Sequence, residues 1–263
     1  MARFTRTLPV LIGLAVLTLT GCTAPSAEPT ESAAAPTEAP SATPTEEPVA
    51  EGRTVPAQCA SLDLAPGAHF AGATLGECVA VALSSYGSGR MMLDDDLSGT
   101  VDFTYAPDYA FQGTVTGPSG EARVVYVGGK MWMDTGSGFV EGDPESSDPQ
   151  VRMVGAVAAL YAHFSDVRQT ADFVRAQPGW SVAAERKPIT LPGGTTVDAY
   201  EIVSDGAFTW NEVPVDEMVL RYGEDWVPVG VQATVSAFGS TVTQSQTFFD
   251  LGVPITITAP TAN

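Results

Sequence analysis

The chain has 263 residues, and 12 lysines and arginines stand against 31 aspartates and glutamates, a net charge of −19. A surface this acidic is repelled by nucleic-acid phosphates and by anionic lipid headgroups, so neither is an electrostatic partner, and solubility is the plain role of the charge. Three cysteines and two histidines make a zinc site of His and Cys ligands hard to assemble.

The first element is a targeting signal. Arg3 and Arg6 precede an apolar run from Leu8 to Leu19, and Leu19-Thr20-Gly21-Cys22 closes it. A positive start, a short apolar core and small residues at the cut are the layout of a secretory signal. The core falls short of the roughly 20 residues that a bilayer-spanning helix needs. Leu-Thr-Gly-Cys resembles the bacterial lipobox, which implies cleavage before Cys22 and diacylation of that cysteine. An ordinary signal cut elsewhere, with Cys22 incidental, is the alternative. Two acyl chains on one residue are the paired signal that stable anchoring takes. Residues 1–21 are therefore the expected signal peptide. Cys22 is the expected lipidation site, on the outer face of the cell membrane.

Residues 22–52 read as a tether. From 23 to 50 the chain is Ala, Pro, Thr, Ser and Glu, with Val49 the only large aliphatic and no aromatic side chain. Nothing in that composition offsets the entropy of ordering, and the prolines keep it extended. Residues 53–263 are enough for one domain with a sizeable core. Outside the cytoplasm Cys59 and Cys78 either pair with each other or stay free, and a bond between them is expected.

Thr74 with Glu77 forms a capping box, and Leu75, Cys78, Val79, Ala82 and Leu83 then follow helical spacing, so one stripe faces a core. The period then changes. Val101, Phe103 and Tyr105 alternate with polar residues, as do Tyr109, Phe111 and Val115. Glu121–Val127, Lys130–Asp134 and Phe139-Val140 follow, separated by Gly-rich turns. Asp148-Pro149 supplies an N-cap and a proline at the first helical position. The helix from Val151 to Phe164 is apolar nearly all round, which marks it as buried or as the cover of something greasy. A shorter helix spans about 170 to 177. Strands return at Val197–Val203 and Met218–Tyr222. They continue with the strict alternation of Val227, Val229, Val231, Ala233, Val235 and Ala237, whose partner runs from about Thr241 to Phe249. The order predicts an α+β fold: a curved antiparallel sheet, apolar on one face, with a single layer of helices on that face.

Several short strings resemble catalytic motifs. Met133-Asp134-Thr135-Gly136-Ser137 contains the D-T-G-S of aspartic proteases, but that chemistry needs two facing aspartates sharing a proton, and no second copy exists. A strand-ending Asp before a Gly-rich turn is the reading adopted. No G-x-S-x-G elbow occurs. His69 reads as a solvated loop residue and His163 as a satisfied core residue. Asp94-Asp95-Asp96 lacks the alternating ligand spacing of a calcium loop. No catalytic residue, metal site or cofactor is expected, and the protein is read as not an enzyme.

The order of pieces resembles the actinobacterial lipoproteins typified by the mycobacterial LppX and LprG proteins, relatives in fold of the LolA carrier. The resemblance covers about Leu75 to Pro260. It rests on the lipobox Cys22, the early helix and the strand pair Val124–Val127 and Lys130–Asp134. It rests further on the mid-chain helices, on Leu220-Arg221-Tyr222-Gly223-Glu224-Asp225-Trp226-Val227-Pro228, and on the ending Phe249–Pro260. It implies an unclosed half-barrel whose cavity accepts acylated lipids or lipoglycans and carries them across the envelope. Positions that would line it are Phe103, Phe111, Val154, Val157, Leu160, Phe164 and Val174. The Cys59–Cys78 pair and the weakly hydrophobic early helix depart from that group. The alternative is a tethered interaction or sensor module with a filled core.

Overall fold

A computed structural model describes residues 54–105, 108–118, 120–237 and 240–261; for 158–165, 167–169, 237 and 240 it describes the backbone alone. The expected signal peptide, Cys22 and the tether lie outside the described residues.

Strand β1 (His69–Ala71) runs straight into helix α1 (Gly72–Ser84). A meander follows: β2 (Ser88–Asp95), β3 (Ser98–Thr104), β4 (Ala110–Gly117), β5 (Gly120–Val127), β6 (Lys130–Asp134) and the short β7 (Val140–Glu141). Helices α2 (Pro149–Ser165) and α3 (Val167–Ala176) come next. The chain returns to the sheet with β8 (Gly179–Val182), β9 (Lys187–Thr190), β10 (Thr196–Ser204), β11 (Phe208–Trp210) and β12 (Val213–Tyr222). A 3-10 turn at Glu224–Trp226 leads to β13 (Pro228–Ala237) and β14 (Ser240–Phe249). All fourteen strands belong to one sheet, ordered β1-β8-β10-β12-β13-β14-β2-β3-β4-β5-β6-β7, with β9 against β10 and β11 against β12. β14 joins the two meanders by pairing with β2, and the sheet is not closed into a barrel. The α+β fold with helices on one face of an open antiparallel sheet is the one expected.

Register shows which residues share the helix-covered face, because cross-strand partners point the same way. One row runs Val182, Ile202, Leu220, Val231, Gln246, Leu93, Gly99, Val115, Ala122. Another runs Phe248, Met91, Val101, Gly113, Val124, Met133, Val140. Both rows are apolar or glycine except at Gln246.

Helix α1 buries the expected stripe of Leu75, Cys78, Val79, Ala82 and Leu83. It does not start at the expected capping box. Ala71 is the N-cap and has no side-chain acceptor to cap with, while the Gly72 amide donates to Pro178 O at 3.0 Å. Glu77 is left to pair with Arg175 of α3 at 3.1 Å. The two helices touch closely enough that a Cβ on Gly72 would lie 1.9 Å from Gln177 O, and one on Gly76 2.6 Å from Arg175 Cγ. Helix α2 does start as expected, the Asp148 carboxylate accepting from the amides of Gln150 at 2.8 Å and Val151 at 3.2 Å. Over its first described turns, up to Val157, it is less buried than its composition suggested: Val154 and Gly155 are buried, whereas Met153 is 53% exposed.

A candidate ligand-binding seam

Among the described residues, the side chains under the helices form two clusters rather than one. The first joins Leu75, Cys78, Val79 and Ala82 of α1 and Val174 of α3 to Trp180, Ile202, Leu220 and Tyr222. The second gathers Met91, Leu93, Val101, Phe103, Phe111, Val115, Val124 and Met131. Val231 of β13 packs against the first and Phe248 of β14 against the second, so the division falls between these neighbouring strands. Their backbone ladder is continuous there, from Gly230 paired with Thr247 to Ala237 paired with Ser240. Packing is split where hydrogen bonding is not.

At this seam lies an opening of about 30 Å³. Its roof is Val79 and Leu83 of α1 and Thr170 of α3. Its floor and walls include Met91, Phe103, Leu220, Tyr222, Val231, Gln246 and Phe248. None of the described lining residues carries a charge; their polar groups are the Thr170 hydroxyl, the Gln246 amide and the phenols of Tyr105 and Tyr222. Farther along the same strands the inward pair Val235 and Val242 stays apolar, with Val242 37% exposed.

Of the residues expected to line a cavity, Phe103 borders the opening. Phe111 is buried in the second cluster, stacked on Tyr126 with ring centroids 5.3 Å apart. Val157 is half-buried against that same cluster, Val174 is buried in the first, and Val154 is buried on α2. The side chains of Leu160 and Phe164 lie outside the described residues. Val79, Leu83, Met91, Val231, Gln246 and Phe248 were not singled out from the sequence. The alternation of 227–237 flagged the strand of Val231, but only the register with β14 and β2 places these residues together. Cys59 and Cys78 are joined in a disulfide, both fully buried in the first cluster, which fastens α1 to the preceding loop.

The acid–base candidates are occupied elsewhere. The Asp134 carboxylate accepts from Arg123 and from the amides of Gly136 at 2.7 Å and Gly138 at 2.8 Å. Arg123 foremost, then the two amides, lower its pKa to about 2. A carboxylate held ionised in this way has no proton to share, so the D-T-G-S string is a turn device. His69 is not simply solvated: its Nε2 lies 2.6 Å from Asp205 Oδ2, and Ser181 Oγ donates to Asp205 Oδ1 at 2.6 Å. The aspartate stands between serine and histidine, whereas a nucleophilic triad needs the histidine in the middle. The Ser181 hydroxyl first, and His69 after it, lower the Asp205 pKa, against the opposing effect of burial. Among the described residues no group of three or more His, Cys, Asp or Glu is placed to hold a metal ion, and no helix is long and apolar enough to cross a membrane.

Neither a family model nor a curated protein matches the chain by sequence. Among solved structures it is similar to LprF from Mycobacterium bovis, with a TM-score of 0.44 at 12% identity over 72% of this chain and 98% of that one. It is also similar to a DUF1329 family protein from Desulfovibrio piger, with a TM-score of 0.25 at 11% identity over 71% and 96%. Both scores are too low for either likeness to assign a family or a ligand to this chain.

Proposed function

We propose that this protein is a lipid-anchored, extracytoplasmic module that takes up an apolar ligand between its sheet and its helices, held at the outer face of the membrane through Cys22. The observation that carries the reading is the division of the core between β13 and β14, with an uncharged, largely apolar opening above it. A layer built only for stability would close into one cluster, since every gap in a dry core forfeits contacts. The lipobox supports the location, and the tether at 22–52 would hold the 53–263 domain off the bilayer.

The opening is about 30 Å³, room for a water or two, whereas ligand pockets run to roughly 300–1,000 Å³. Uptake therefore requires the helices to lift from the sheet. The size of the opening also favours a second reading, a tethered interaction module with a filled core and no ligand. The two separate in one experiment. The chain carrying Cys22→Ser, purified without acyl groups, is titrated with the neutral fluorophore 1-aminoanthracene, and its organic extract is examined by mass spectrometry. Uptake should fall about tenfold or more when Val231→Phe fills the opening, the loss that roughly 1.4 kcal/mol of blocked apolar contact represents. No fluorophore uptake and no co-purified lipid would leave the interaction module standing.

A further inference from the structure

The concave face carries two glutamines on β14 where an apolar floor would be expected, and only one of them is accounted for by the fold. Gln244 is spent on the turn between β2 and β3. Its Nε2 donates to Asp94 O at 2.7 Å and Leu97 O at 3.0 Å, and its Oε1 accepts from Leu97 N at 3.0 Å. Gln246 lies two residues on, so it also faces inward, directly between Val231 and Leu93 of the neighbouring strands. It lines the opening at the division between the two clusters, with Thr170 of α3 on the opposite side. Neither the Gln246 amide nor the Thr170 hydroxyl has a hydrogen-bond partner among the described residues.

A primary amide offers an acceptor and two donors. Gln246 is half-buried, so water reaches its amide at rest; cut off from water among apolar neighbours the amide would cost free energy, which a leucine here would not. The room beside it fits a water or two, which satisfies the amide at rest and can be displaced. What displaces it is limited by charge. Among the described residues the lining holds no cation, so against these residues an ionised carboxylate would be desolvated without a counter-charge. A neutral carbonyl meets no such penalty and accepts from the amide nitrogen.

We infer that Gln246 is the specificity-determining residue of the seam, its side-chain amide holding an uncharged ester or amide carbonyl on an otherwise aliphatic guest. This rests on the ligand-binding reading above, and the test separates the two. The Cys22→Ser chain, its 1-aminoanthracene site filled, is challenged with dodecane, methyl dodecanoate and dodecanoate at neutral pH, and displacement gives the three affinities. Methyl dodecanoate should bind about tenfold tighter than dodecane, the scale of one neutral hydrogen bond made in place of an unmet amide. It should also outbind the dodecanoate anion. Gln246→Met, which keeps the volume, should erase the preference for the ester, with dodecane tightening by up to about tenfold because no amide is left unmet beneath it. Gln246→Leu is run beside it, with circular dichroism on both, so that a folding defect in one variant does not decide the result. An ester preference that survives both substitutions, or equal binding of ester and alkane by the unsubstituted chain, overturns the inference and leaves Gln246 a water site in a ligand-binding seam. Displacement by none of the three probes overturns the proposed function itself, and the role of Gln246 with it.

Discussion

Asp134 is only 4% exposed, yet its carboxylate is ionised, because Arg123 and two backbone amides hold it. Its pKa falls to about 2 from the ordinary 3.8. A group depressed on folding stabilises the folded state above its unfolded pKa, and that stabilisation is lost as the pH falls through the folded value. Replacing Asp134 with Asn removes the charge at every pH. The thermal midpoint of Asp134→Asn should therefore lie below that of the unsubstituted protein above the ordinary 3.8. The gap should narrow steadily on acidification toward about 2. A gap independent of pH over that window would mean that the two glycine amides, and not the charge, hold the turn. The local string alone pointed to a turn, since an Asp followed by glycines bonds its own backbone readily. What it could not supply was Arg123, eleven residues back on the adjacent strand and opposite Asp134 in register.

At the scale of elements, α1 and α3 are fastened to each other as one unit over the first cluster. Helix α1 buries seven of its 13 residues and is fastened from outside by the disulfide at Cys78. Trp180 Nε1 donates to Val174 O at 3.1 Å and ties α3 to the sheet. Opening the bond by Cys59→Ser with Cys78→Ser should cost about 3 kcal/mol, from the loop of roughly twenty residues it closes in the unfolded chain. Urea unfolding of the two proteins measures this, and a difference near zero would show that the α1–α3 contact alone fixes the loop. The stripe of α1 was legible because a helix writes its buried face into one short stretch of sequence. Other elements were not. β2 hides its alternation, since outward Met92 separates inward Met91 and Leu93, and β12 loses its alternation at a bulge between Val215 and Glu217. β1, β8, β9 and β11 are three or four residues long, too short for any period to declare itself. The seam was the least legible feature: Val231, Gln246 and Leu93 are adjacent only after β14 has crossed to pair with β2, and no local pattern encodes that crossing.

For the molecule as a whole, the sheet is continuous across the seam while the packing above it is not, and that difference assigns the mobile part. Widening the opening at the expense of the sheet would break the ladder between β13 and β14. Lifting a helix would break side-chain contacts and only isolated hydrogen bonds, such as Gly72 N to Pro178 O and Trp180 Nε1 to Val174 O. The opening is roofed by Val79 and Leu83 of α1 and Thr170 of α3, so this pair of helices is what has to rise from the sheet. Native-state hydrogen exchange in low concentrations of urea tests the assignment, because a local opening exposes less surface than global unfolding and depends less on denaturant. Amides of α1 and α3 should exchange through an opening of lower free energy and shallower urea slope than the sheet. Those of Val231, Ala233 and Gln246 in the ladder should follow global unfolding. Were the two roofing helices and the ladder to share one free energy and one slope, the domain would open only as a unit, the helices could not part from an intact sheet, and no ligand could reach the seam without unfolding the protein.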